Sequence, residues 1–142
     1  MDWHKHISAL SPNVELNAPA RPGEIRDAEA RLNVAFPKEL KELLGQCNGL
    51  AHCGASFVWS ADEIIKQNLE MRAERGFKSL FMPFDNLLFF GDDANGDLFF
   101  FAILDGQIRN QFVFRWDHET DSRTLEEHHL KTFVDKFIKA DD

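Results

Sequence analysis

Two short stretches hold most of the residues able to do chemistry: Asp92-Asp93-Ala94-Asn95-Gly96-Asp97 and Trp116-Asp117-His118-Glu119. The first has the carboxylate density of a calcium loop. With Gly96 at the sixth position of an EF-hand, Gly91 would stand at the first and Ala102 at the twelfth, where oxygen ligands are required. The stretch is therefore read as a hairpin turn, with Asn95-Gly96 at its centre because both residues tolerate positive φ. Asp92, Asp93 and Asp97 then sit at a solvated end, where they can double as an acidic docking edge. The second stretch offers Asp, His and Glu for general acid–base work, but adjacent residues point in different directions and cannot converge on one atom without help from elsewhere. No G-x-S-x-G or H-E-x-x-H accompanies it, so it reads as a buried Trp followed by a polar strand exit. Cys47, His52 and Cys53 make three zinc-type ligands with no matching pair, and His128-His129 lacks placeable carboxylates. No catalytic, cofactor-binding or metal-ligating residue is assigned.

These residues must be positioned by the elements around them. Trp3, Ile7 and Leu10 have helical spacing, so a short helix opens the chain until Pro12 stops it; Ser11 to Arg21 reads as irregular. Pro22 and Glu24 suit a first helical turn, and Ile25, Ala28 and Leu32 form one face of a helix ending near Asn33. A second helix starts at Pro37 with Leu40, Leu43, Leu44 and Cys47 as its apolar stripe, and Asn48-Gly49 is expected to close it with a left-handed residue. Phe57-Val58-Trp59 reads as a strand, and Ser60 with Glu63 as a capping box for a helix running toward Gly76.

Strands then dominate. Leu87 to Phe90, Leu98 to Ile103 and Phe112 to Trp116 are separated by Asn95-Gly96 and Asp105-Gly106, which predicts an antiparallel meander. The middle run is apolar on both faces and so belongs at the centre of a sheet covered by helices. Phe112, Phe114 and Trp116 alternate with Val113 and Arg115, which makes one face the more buried. Periodicity leaves Asp117 to Glu127 open between loop, strand and helical turn. Leu130, Phe133, Val134, Phe137 and Ile138 specify a closing amphipathic helix. The expected fold is α+β: an antiparallel meander packed by N-terminal helices and a C-terminal amphipathic helix, in a single domain over 1–142, with 1–21 as an N-terminal extension.

The chain has 142 residues, 44% of them hydrophobic, enough for one core without a metal or disulfide staple. Sixteen Lys and Arg against 24 Asp and Glu give a formal charge of −8, which argues against nucleic acid and anionic membrane surfaces as ligands and for a basic or neutral partner. No apolar run is long enough for a signal peptide or a bilayer span, so a cytoplasmic protein with reduced thiols is expected.

In order, Ile25, Glu29 and Leu32, then Pro37, Leu40, Leu44 and Asn48-Gly49, then the Gly91 to Asp97 hairpin with Gly96 and Asp97, and finally Trp116-Asp117-His118-Glu119 before a terminal helix resemble the SUKH superfamily. That domain takes its name from a yeast regulator of cell-wall synthesis. The chain departs from the pattern at Leu40, where tyrosine is frequent, and in carrying Cys47 before Asn48. The resemblance implies binding without turnover: bacterial members are chiefly immunity proteins that neutralise a cognate polymorphic toxin domain, often a nuclease or deaminase, by occlusion. Asp92, Asp93, Asp97, Asp117 and Glu119 are the expected partner-binding residues. The alternatives are a regulatory protein–protein scaffold and, last, a hydrolase using His118 with Asp117 or Glu119.

Overall fold

A computed structural model describes residues 1–140 and arranges them, in chain order, as α1 (Trp3–Leu10), β1 (Glu15–Leu16), α2 (Pro22–Leu32), α3 (Lys38–Gln46), β2 (Leu50–His52), β3 (Ala55–Val58), α4 (Ala61–Ala73), α5 (Arg75–Leu80), β4 (Leu87–Asp92), β5 (Leu98–Ala102), β6 (Val113–Trp116), β7 (Arg123–Glu127) and α6 (Leu130–Ala140). The expected α+β fold is present, and its meander is an antiparallel sheet in the order β4-β5-β6-β7. The open stretch after Trp116 becomes a turn and then the edge strand β7.

The sheet is an aromatic sandwich. On one face Phe90 and Phe99 meet Phe133 of α6, Phe101 stacks on Phe90, and Phe137 stacks on Phe57 at 4.5 Å. On the other, Phe89 and Trp116 meet Phe84, Trp116 also meets Phe81, both from the segment around α5, and Phe100 packs edge-on against Phe89. The central strand is thus covered above and below, as its two-sided apolar run requires. Phe57, Phe89, Phe90, Phe99 and Phe101 are fully buried, each favouring the folded chain by about 1.5–3 kcal/mol before entropic costs.

A second, three-stranded sheet, β1-β2-β3, was not expected. Glu15 and Leu16, placed in an irregular stretch by their sequence, pair with Ala51 and Leu50; strands of two to four residues are too short to show a period. The two sheets are joined where Trp59 N donates to Phe90 O at 2.7 Å. The join depends on Gly91, because a Cβ there would lie 2.0 Å from the Phe57 carbonyl oxygen.

Several local expectations need correction. The helix from Ser60 does not run to Gly76: it ends at Ala73, Glu74 takes an extended backbone, and a short α5 follows. Within this helix Leu69 is exposed and the polar Asn68 is buried. In β6 the buried residues are Val113 and Trp116, because a register shift between Val113 and Phe114 breaks the alternation. Asn48-Gly49 does not cap α3, whose C-cap is Cys47 in an extended conformation. Gly49 takes a φ of 114°, and its surroundings also leave no room for a side chain: a Cβ there would lie 2.8 Å from Asn17 Nδ2 and 3.2 Å from Ser60 N.

Candidate partner-binding site

The two chemically suggestive stretches come together at one end of the four-stranded sheet. β5 and β6 pair Leu98 with Trp116, which brings the loop after β4 beside the turn after β6. That loop is not a two-residue Asn-Gly turn: the left-handed residues are Ala94 (φ 67°) and Gly96 (φ 105°). The Asp93 carboxylate organises it, accepting from Asn95 N at 2.9 Å and Asp97 N at 3.1 Å. Gly96 is needed twice over, since a Cβ there would also strike the His118 ring at 2.7–2.8 Å. Asp105-Gly106 does adopt positive φ at both residues (53° and 76°) and is closed by reciprocal hydrogen bonds between Leu104 and Gln107.

Arg115 is the cation of this end. Its Nη1 lies 2.9 Å from Asp93 Oδ2 and 3.1 Å from Asp97 Oδ2, its Nε lies 3.3 Å from Glu126 Oε2, and its guanidinium covers the Phe99 ring at 4.8 Å. Asp97 Oδ1 also accepts from His118, at 2.7 Å from Nδ1 and 3.2 Å from the backbone N. Burial pushes the Asp97 carboxyl up, but the hydrogen bonds from His118 and Arg115 outweigh it and hold the group below its usual range. The hydrogen bond to Asp97, followed by its charge, raises His118 above the usual imidazole value. Asp93 and Asp97 are therefore already neutralised by the protein, unlike carboxylates at a solvated tip.

The remaining candidates differ. Asp92 Oδ2 accepts from Trp59 Nε1 at 2.8 Å and its Oδ1 from Ala94 N at 3.0 Å, with no cation partner among the described residues. Asp117 caps its own turn through Glu119 N, and Glu119 is 79% exposed. Asp97, Asp117 and His118 each bring one ligand atom within 4.8 Å of the others. Both Asp97 oxygens are occupied by His118 and Arg115, however, so the trio is chiefly an ion-pair network. The help that His118 needed from elsewhere is Asp97, an orienting carboxylate. His118 Nε2 faces Glu119 Oε1 at 3.9 Å. Farther away, His129 lies 3.5 Å from Glu39, and His128 packs edge-on against Phe112. Cys47 is buried and Cys53 exposed, with no disulfide between them.

The other residues singled out by their order hold the fold. Glu29 Oε2 accepts from Phe36 N at 2.7 Å, setting the α2–α3 corner before Pro37, the N-cap of α3, and Leu40 is fully buried. Asn48 is a hub: its Oδ1 accepts from Ala61 N at the start of α4, its Nδ2 reaches Glu24, and its backbone holds Ala18 and Asn17. Trp116 Nε1 donates to Asp121, which also binds Arg123 and Met82 N. Two residues of consequence gave no sequence signal, Arg115 as the shared cation and Asn68 of α4 as a buried carboxamide bonded to the backbone of β4. Helical spacing marks a face but cannot distinguish a buried amide from a solvated one.

Above the join of the two sheets lies a polar groove of about 420 Å³, lined by Asn17, Ser56, Trp59, Ser60, Glu63, Gln67 and Asp92 over an apolar floor that includes Leu50, Val58 and Leu98. No helix among the described residues is long and apolar enough to cross a membrane.

Residues 22–134 match the model of a family, SUKH_6, described as SMI1-KNR4 cell-wall. The chain is also 36% identical over 67 residues to a Bacillus subtilis (strain 168) protein called Uncharacterized protein YnaB. That stretch is 47% of this chain and 46% of the relative, so it spans about half of each.

Proposed function

The chain belongs to the SMI1-KNR4 cell-wall family, SUKH_6, and from that membership we propose that it is an immunity protein that binds a cognate polymorphic toxin domain and occludes its active site. The observation that carries this reading is the family match across residues 22–134, since bacterial proteins of this kind chiefly neutralise toxins. The formal charge of −8 supports it, because toxins that act on nucleic acid carry basic clefts, which an acidic partner meets faster and in better register. A nuclease or deaminase is thus the favoured target. In this reading the protein acts in the cytoplasm and turns over no substrate. The carboxylates free to steer the encounter are those that Arg115 does not neutralise, Asp92, Asp117 and Glu119, while Asp93 and Asp97 shape the edge that presents them.

The test is co-expression with the toxin domain encoded beside the gene, scoring survival and co-purification together. Rescue with a stable complex is expected; cell death despite soluble expression refutes the reading. The family's cell-wall description favours a second reading, a regulatory scaffold, which predicts stable complexes with host proteins in cells lacking any toxin.

A further inference from the structure

The groove over the sheet join is uneven in its hydrogen-bonding capacity. The Asn17 carboxamide nitrogen donates to Asn48 O at 3.0 Å, that of Gln67 to Glu63 Oε1 at 2.6 Å, and the Trp59 indole to Asp92 Oδ2 at 2.8 Å. These contacts use one N–H of each carboxamide and the indole N–H, while Glu63 Oε1, both Asp92 oxygens and Ser60 Oγ each already accept one hydrogen bond; the oxygens of Asn17 and Gln67, Glu63 Oε2, the second lone pairs of Asp92 and the Ser56 hydroxyl are left to meet a ligand. No Lys, Arg or His lines the groove, and neither Glu63 nor Asp92 has an ion-pair partner among the described residues. This contrasts with the neighbouring edge, where Arg115 meets three carboxylates.

The geometry points to a subsite for an arginine side chain contributed by the protein partner, its guanidinium held between Glu63 and Asp92 and its methylene stem lying on the apolar floor. A guanidinium presents five N–H donors in a flat fork, which suits acceptors spread over several elements better than the compact ammonium of lysine does. A groove of about 420 Å³ is large for a bare metal ion and admits a whole side chain, and Leu50, Val58 and Leu98 give the stem apolar contact. The subsite rests on the partner-binding reading but is tested separately from it.

The probe is N-acetyl-arginine amide, titrated into the intact protein while the Trp59 indole and the Asn17 and Gln67 side-chain amides are followed by NMR. Saturable shifts confined to these groups are expected, absent with the citrulline analogue, and reduced tenfold or more in affinity by Glu63→Gln with Asp92→Asn, a pair whose thermal transition is checked first. If Asp92→Asn unfolds the chain, Glu63→Gln alone carries the comparison. No saturable shift, or equal shifts with citrulline, overturns the subsite. The neighbouring toxin domain separates the two claims: wild-type rescue that the double variant matches in affinity removes the subsite and leaves the immunity reading standing. Saturable binding of the probe with no rescue does the reverse.

Discussion

Replacing Asn68 by Ala isolates one buried carboxamide whose work is fully visible. Asn68 is fully buried in α4; its Nδ2 donates to Ile64 O and Phe89 O, both at 2.8 Å, and its Oδ1 accepts from Phe89 N at 2.9 Å. Phe89 sits in β4, where the register with β5 shifts before Gly91, and the side chain supplies the outer edge of that strand with the partners a further strand would provide. Truncation to Ala orphans one N–H and one C=O, each costing about 1–3 kcal/mol when buried. A water entering the vacated space recovers part of this, so the net loss is about 2–4 kcal/mol, a sizeable share of a domain's total of about 5–15 kcal/mol. With a urea slope of about 2 kcal/mol/M, the midpoint should fall by about 1–2 M at unchanged slope. Exchange of the Phe89 amide hydrogen should accelerate more than that of its neighbours. Asn68→Asp adds a check: its carboxylate can accept from Phe89 N but repels both carbonyls, so burial favours the neutral acid. That raised pKa makes the variant's deficit shrink as the pH falls into the carboxyl range and grow as it rises. A midpoint change equivalent to less than about 0.5 kcal/mol, with Phe89 still protected, would refute the reasoning.

Other perturbations are equally direct. Gly91→Ala forces a Cβ to within 2.0 Å of Phe57 O and should cost about 3 kcal/mol by thermal melting, whereas Gly45→Ala, with nothing within 4 Å of its Cβ, should gain about 0.5–1 kcal/mol. Arg115→Met leaves Asp93, Asp97 and Glu126 facing one another; stability at neutral pH should drop by about 1–3 kcal/mol, and acid that protonates the carboxyls should narrow the gap to wild type. For His118, whose folded value is raised above 6.5 by Asp97, the stabilisation is full below 6.5 and fades as the pH climbs through the raised value. NMR titration should place its midpoint above 6.5, with Asp97→Asn lowering it. Asp97 has the opposite sign: its depressed folded value contributes above 3.8, and that contribution disappears as the pH falls through the depressed value.

What could be read from the residues depended on how far each signal reached. α2, α3 and α6 announce themselves through apolar residues repeated over several turns, and β4, β5 and β6 through long aromatic runs divided by Gly-containing turns. β1 and β2 have two and three residues, so their pairing is decided by neighbours distant in sequence. The same limit hid the best-defined polar contacts: Asp97 and His118 lie 21 positions apart, as do Asn68 and Phe89, and no spacing rule connects them. Asn48-Gly49 was recognisable as a special dipeptide, but the helix it serves is α4, through Ala61 N, rather than the one it follows.

The family match begins at residue 22, yet the first twenty-one residues are woven into the body. Trp3 and Ile7 are buried, His6 Nε2 lies 2.6 Å from Asp135 at the opposite end of the chain, and Ala20 N donates to Leu44 O at 2.9 Å. Asn17 is also one wall of the groove over the sheet join. A protease nick or an expression boundary at Pro22 would therefore do more than shorten the molecule. It would dismantle the rim of an acceptor-rich hollow and bare the hydrophobic interior in the same stroke, coupling recognition of any partner to the integrity of the leading segment.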